Sequence, residues 1–156
     1  MTKRELAEKY FKEGYNCAQA VLLAFAEETG LTKEQSALIA SSFGGGMGKM
    51  REVCGAVSGM LMAAGLIAGY SDPKDQYRKS EHYKLVQALA TEFKKQNGSI
   101  ICRELLSGTF SKAPSVSENE LSSTTPPSVR TEEYYKKRPC AELVGDAAEI
   151  LDKLFA

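Results

Sequence analysis

The chain of 156 residues lacks an excess of charge, because 20 Lys and Arg residues balance 20 Asp and Glu residues. Proteins that bind the phosphates of DNA or RNA carry a basic face, and the longest basic run here is the short YYKKR. The charge balance therefore argues against a nucleic-acid partner. Hydrophobic residues make up 43% of the chain, which is typical of a globular protein. A domain of this length buries about 70% of its unfolded surface, so its fold does not require disulfides.

The N-terminus lacks the apolar segment of a secretory signal peptide, because MTKRELAEKYFKEG is charged throughout. We therefore expect a cytoplasmic protein. One segment, from Val53 to Tyr70, carries no charge and approaches the length of a membrane span, which is at least about 17 residues. Eight of its residues are Gly or Ala, which add little transfer energy into lipid. We interpret it as a buried helix and expect no stable membrane insertion.

Strand signals are nearly absent, whereas signals for helix starts recur along the chain. Capping boxes begin at Thr2 and Thr32, and Asn16 is a favourable N-cap. Proline at a first helical position predicts further helices that begin at Pro73 and Pro139. These signals indicate an all-α protein.

We predict a single-domain multi-helix bundle over residues 1–156, with a central Gly/Ala-rich helix from about Val53 to Gly69. A long helix from Pro73 to about Gln96 follows it, and its length would allow pairing with a second copy as a homodimer. The segment from Ser107 to Arg130 is rich in Ser, Thr, Pro and Glu and has no periodicity. We expect a long surface loop there, partly disordered or folded over a site.

Four cysteines are present, and none belongs to a CxxC pair, which argues against zinc ribbons and thioredoxin-like sites. Each cysteine instead falls in the first turn of a predicted helix. Free N–H groups and the helix dipole favour thiolate at such positions. We therefore predict a catalytic role in redox chemistry, with Cys54 close to at least one other cysteine, for the set Cys17, Cys54, Cys102 and Cys140.

The four thiols allow three functions. In the first, two or more of them cycle between dithiol and disulfide. In the second, all or most of them bind a metal ion or an iron–sulfur cluster, for which four thiolates are the usual ligand set. In the third, they are small buried residues of a non-catalytic helical interaction module. The residues alone leave these alternatives open.

A glycine-rich loop, SSFGGGMGKM, precedes Cys54. It does not match a phosphate-binding Walker A motif, because Phe43 and Met50 stand where glycine and Ser or Thr are required. We predict a tight turn beside Cys54, with a small anion site as the alternative. Gly55 and Gly59 then form a smooth stripe where another backbone, or a group bound beside Cys54, can approach closely.

The only histidine, His82, lies in register with Leu85 and Leu89 on the long helix. A single histidine on an apolar face is usually a packed or rim residue, so the sequence gives little support to a Cys–His hydrolase. Tyr134 and Tyr135 precede the last cysteine, where they either pack over the cysteine site or support ordinary helix packing.

Four blocks, GYNCAQAV, SFGGGMGKMREVCGAVSG, CRELL and CAELVGDAAEIL, resemble in order the signature of the C_GCAxxG_C_C family. The most specific block is Cys-Gly-Ala-x-x-Gly, which begins at Cys54 and ends at Gly59. The other family cysteines correspond to Cys17, Cys102 and Cys140. The resemblance implies an intracellular bacterial or archaeal protein whose redox role is inferred from its four cysteines. It also implies a redox partner or a transport-associated protein as partner.

Overall fold

The structure, a computed structural model, describes residues 1–107 and 116–155. Within these ranges no helix is both long and apolar enough to cross a bilayer. A 3₁₀ turn at Ser41–Phe43 and an isolated antiparallel bridge between Val53 and Ile101 accompany the helices. The described residues form ten α-helices, namely α1 Lys3–Lys12, α2 Cys17–Ala24, α3 Ala26–Thr29, α4 Lys33–Ala40, α5 Gly55–Ala68, α6 Gln76–Asn97, α7 Cys102–Leu106, α8 Glu118–Leu121, α9 Glu132–Lys137 and α10 Cys140–Phe155. The predicted all-α class is confirmed.

The predicted capping signals begin the first helices. Thr2, Asn16 and Thr32 each form a capping box with the residue three positions later. The helix expected to continue to Gly30 is interrupted at Phe25, where φ is −108° and ψ is 22°. The chain therefore bends between α2 and α3, and Gly30 ends α3 with a φ of 75°.

The predicted start of the long helix at Pro73 is wrong, because α6 begins at Gln76 with Asp75 as its N-cap. The Asp72 side chain accepts a hydrogen bond from the backbone N–H of Lys74, and the Asp72 carbonyl accepts one from Asp75. An Asp side chain can bond to the backbone two residues later and so form a turn in place of a helix start. Helix α6 therefore begins at Gln76 and not at Pro73.

Helix α5 packs against α2, α6 and α10, and α1 packs against α2 and α10. The contact between α2 and α5 depends on the glycines of α5. A Cβ at Gly59 would lie 2.5 Å from the Ala18 carbonyl oxygen, and one at Gly55 would lie 3.0 Å from the Cys17 Cβ. The glycines therefore allow the backbone of α2 to lie against α5. Cys17, the first residue of α2, lies beside the start of α5.

The segment expected as a loop between Ser107 and Arg130 lies partly outside the described residues, which omit 108–115. Its described part contains α8 and is tied to the glycine-rich loop. The Lys49 Nζ donates hydrogen bonds to the carbonyl oxygens of Thr125 and Pro126, at 2.8 and 2.9 Å. Residues 116–130 therefore cover the side of the molecule where this loop lies.

The α2–α5 contact predicts opposite effects for two substitutions in α5. Gly59→Ala should lower the free energy of unfolding by about 1–3 kcal/mol, because the new methyl group would overlap the α2 backbone. Gly65→Ala is the matched control, since its new Cβ would meet only the His82 Nε2, at 4.0 Å. It should be neutral or stabilising by up to about 1 kcal/mol, because alanine favours helix over glycine. Urea denaturation measures both, and equal midpoints would contradict the contact.

Candidate functional site

All four cysteines occupy helix starts, as predicted. Cys17, Cys102 and Cys140 are the first residues of α2, α7 and α10, and Cys54 is the N-cap of α5. All four are free thiols, and all four line one cavity of about 50 Å³. A cavity of this size holds only a few water molecules. Residues more than thirty positions apart in sequence therefore meet around one small space.

The antiparallel bridge brings Cys54 and Cys102 together. The Cys54 N–H donates to the Ile100 carbonyl at 2.8 Å, and the Cys102 N–H donates to the Glu52 carbonyl at 2.6 Å. Because side chains alternate along paired extended segments, Cys54 and Cys102 lie on the same face of the bridge. Two short backbone hydrogen bonds therefore hold half of the cysteine site.

Cys17 and Cys140 form the other half, and the interaction between their thiols is the largest cause of the pKa shift of each. This hydrogen-bond interaction lowers the pKa of Cys140 and raises the pKa of Cys17. Burial opposes the charge on Cys140, whereas the guanidinium groups of Arg138, Arg51 and Arg130 lower its pKa further. Of the two thiols, Cys140 is therefore the one that ionises more readily.

The prediction that all four helix starts favour thiolate is wrong for three of them. Burial is the largest cause that raises the pKa of Cys54 and of Cys102, although Arg51 opposes it at Cys102. The pKa of Cys17 is raised by its bond to Cys140 and then by burial. A helix terminus contributes about 0.3–1 kcal/mol, whereas full burial shifts a pKa by up to about 3–5 units. Burial therefore outweighs the helix dipole at these positions.

Three arginines and one tyrosine also line the cysteine cavity. The Arg51 Nη1 donates to the Cys102 Sγ at 3.6 Å. The guanidinium of Arg138 lies 4.4 Å from the ring centroid of Tyr134, and that of Arg130 lies 5.6 Å from it. Burial raises the pKa of Tyr134 to about 12, so its phenol remains a hydrogen-bond donor at neutral pH. Tyr134 thus packs over the cysteine site, as one of the sequence alternatives proposed.

These arginines were not predicted from the sequence as residues of the site. Arg51 stands three residues before Cys54, and Arg138 stands two residues before Cys140. A cation this close to a cysteine in sequence could have indicated that these two arginines belong to the site. Arg130 carried no such signal. The backbone of Arg51 has a φ of 62°, which non-glycine residues rarely adopt. The backbone N–H groups of Lys49 and Arg51 donate to the Gly44 and Gly45 carbonyls and close the predicted turn, and Arg51 lines the cysteine cavity directly after it.

The remaining candidates lie elsewhere or stay unassigned. The half-buried His82 does not line the cysteine cavity and packs edge-on against Tyr70, with ring centroids 6.2 Å apart. Tyr135 packs against Phe11, with ring centroids 5.9 Å apart. In the part of the chain that the structure describes, no group of three or more His, Cys, Asp or Glu side chains is arranged to hold a metal ion.

The charge assignment predicts one early ionisation in the reduced protein. Absorbance at 240 nm should show one thiolate forming below the ordinary cysteine pKa of about 8.5, and Cys140→Ser should remove that step. Arg138→Gln should raise the pKa of the step, because it removes a cation that favours the thiolate. Cys54→Ser is the control that keeps the step. Four thiols that all ionise at or above the ordinary pKa would contradict the assignment.

The comparison with known families is consistent with this site. The model of the C_GCAxxG_C_C family, described as "Putative redox-active protein", matches residues 15–154. No curated protein and no solved structure matches the chain. The matched range contains the glycine-rich loop, the four cysteines and the three arginines. Since the match covers nearly the whole sequence, the protein belongs to the C_GCAxxG_C_C family.

Proposed function

We propose that the protein carries out thiol–disulfide exchange with Cys17 and Cys140 as its redox pair. The observation that carries the proposal is the meeting of all four cysteines at one cavity, where the thiols of Cys17 and Cys140 shift each other's pKa in opposite directions. A thiolate is the attacking species in such an exchange. Cys140 is the one cysteine of the four whose pKa is lowered, so we assign it the role of nucleophile.

The proposed reaction begins when the Cys140 thiolate attacks one sulfur of a disulfide substrate. A bond forms between the two sulfurs, the substrate S–S bond breaks, and one substrate thiolate leaves. Cys17 then gives its proton to this thiolate, and its sulfur attacks Cys140. The Cys17–Cys140 disulfide forms and the second substrate thiolate leaves. The pair has lost two electrons, and the substrate disulfide has gained two electrons and one proton.

The surrounding side chains support this sequence of steps. Arg138 and Arg51 lower the pKa of Cys140, which raises the fraction of attacking thiolate at neutral pH. The hydrogen bond also places Cys17 beside the sulfur that it must attack. A dithiol protein would reduce the pair again as its redox partner. The reducing cytoplasm suits a pair that starts as a dithiol, and we propose that location.

The second candidate function is metal or iron–sulfur binding by Cys17, Cys54, Cys102 and Cys140. The observation that favours it is the convergence of four thiols on one cavity, although no three of them are arranged to hold a metal ion in the described residues. Four thiolates are the usual ligand set for zinc and for iron–sulfur clusters. The arginines around the cavity would then offset the negative charge of the thiolates.

The proposal is tested with protein purified under reducing, oxygen-free conditions and treated with bis(2-hydroxyethyl) disulfide. The thiol count should fall by two, and peptide mapping should join Cys17 to Cys140. Cys54→Ser should lose the same two thiols, because Cys54 is outside the proposed pair. Cys17→Ser should stop as a mixed disulfide on Cys140, because the resolving thiol is gone.

Three results would contradict the exchange mechanism in this test. They are an unchanged thiol count, a disulfide between Cys54 and Cys102, and a mixed disulfide on Cys17 in the unsubstituted protein. Metal analysis of the same preparation separates the second candidate. Stoichiometric zinc, or iron with inorganic sulfide, lost together in the single Cys→Ser variants, would favour metal binding instead.

A further inference from the structure

A second cavity, of about 390 Å³, adjoins the cysteine cavity. The two share three cationic side chains, those of Arg51, Arg130 and Arg138. Lys49 and residues of the 123–128 segment also line the second cavity, which we term the vestibule. Its volume falls in the range of about 300–1,000 Å³ that small-molecule sites occupy. The vestibule therefore offers room for a small substrate beside the thiols.

The vestibule is strongly cationic. Its lining within the described residues includes Lys49, Arg51, Arg130 and Arg138, and it includes no Asp or Glu. Residues 108–115, which the structure does not describe, contain no Asp or Glu in the sequence. Neither the described lining of the vestibule nor the sequence of residues 108–115 therefore supplies an acidic side chain to neutralise the four cations.

The contacts of these cations leave the charge largely uncompensated. Arg138 pairs with the Glu120 carboxylate at 2.8 Å. Arg51, Arg130 and Lys49 instead donate to backbone carbonyl oxygens, which carry no net charge. Within the described residues, Lys49, Arg51 and Arg130 thus have no carboxylate in an ion pair with them. Unpaired cations are unfavourable where they are buried.

Two guanidinium nitrogens also have unused donors. Arg51 and Arg138 are only 4% and 7% exposed, and the Nε of each is buried without a hydrogen-bond partner in the described structure. Buried N–H donors are normally satisfied. A guanidinium group binds a carboxylate through two parallel hydrogen bonds, so an oxyanion would supply both the missing acceptors and the missing charge.

We propose that the vestibule binds the carboxylate groups of a small disulfide substrate, so that the protein exchanges selectively with anionic disulfides. The proposal rests on the exchange function assigned above to Cys140 and names its substrate class. Arg51 and Arg138 line both cavities, so a carboxylate held by them keeps the attached sulfur next to the thiols. Binding of the charged ends would thereby orient the reacting S–S bond.

Binding is tested apart from exchange with 3,3′-thiodipropionate, a dicarboxylate thioether that has no S–S bond. Calorimetry on the reduced protein should show binding that weakens as salt is added, because the contacts are electrostatic. Lys49→Gln and Arg130→Gln should each weaken it by roughly tenfold, given the strength of charge-assisted hydrogen bonds. Lys74→Gln removes the same charge from an exposed position outside the vestibule, and it should bind like the original protein.

Selectivity is tested with two disulfides of the same type, the dianionic 3,3′-dithiodipropionate and the neutral bis(2-hydroxyethyl) disulfide. Each rate is divided by the rate of the same disulfide with 2-mercaptoethanol, which removes intrinsic reactivity. At low salt the anionic disulfide should be preferred by about tenfold or more, as expected for attraction by a charged cleft. The preference should fall in Lys49→Gln and persist in Lys74→Gln.

The two tests fail independently. Binding of the thioether with no disulfide exchange would support the anion site and overturn the exchange function of Cys140. Equal normalised rates for the two disulfides, with no thioether binding, would overturn the anion site and leave the exchange function standing. Binding that Lys49→Gln and Arg130→Gln leave unchanged, while both variants retain the original helix content, would also overturn the assignment to the vestibule.

Discussion

The close contact between α2 and α5 is the constraint on which the site depends. Glycine at positions 55 and 59 lets the α2 backbone lie where any side chain on α5 would collide with it. Each interior glycine costs the helix about 0.5–1 kcal/mol relative to alanine. The same contact sets Cys17 beside the start of α5, within the cavity that Cys54 lines. The glycines of the family motif therefore have a direct role in assembling the cysteines.

The assembled site balances burial against charge. Burial keeps Cys54 and Cys102 protonated, and the hydrogen bond to Cys140 does the same for Cys17. The arginines act in the opposite direction at Cys140. One of them, Arg51, stands on a positive-φ backbone, which costs on the order of 1–3 kcal/mol at a non-glycine residue. Local strain in the glycine-rich loop is thus associated with the placement of a cation among thiols.

The sequence predicts those parts of the structure that local signals encode. The side chains of Thr2, Asn16 and Thr32 cap helices through residues three positions away, so their helices were predictable. The turn at Asp72 was not predicted, because an aspartate at this position can either cap a helix or form a turn, and the sequence does not distinguish the two. The helix-start position of Cys54 was predictable, but its high pKa was not, since it arises from burial by distant segments. Pairing of Cys17 with Cys140 likewise depends on tertiary packing.

The central claim is that Cys17 and Cys140 form a reversible dithiol–disulfide couple. An equilibrium titration in buffers of reduced and oxidised dithiothreitol tests it most directly, with the linkage quantified by mass spectrometry after acid quenching. We predict one reversible two-electron transition, in which a tenfold change in the disulfide-to-dithiol ratio corresponds to about 30 mV. The double variant Cys54→Ser, Cys102→Ser should retain this transition. Absence of a Cys17–Cys140 disulfide at every potential, in the original protein and in the double variant, would contradict the account.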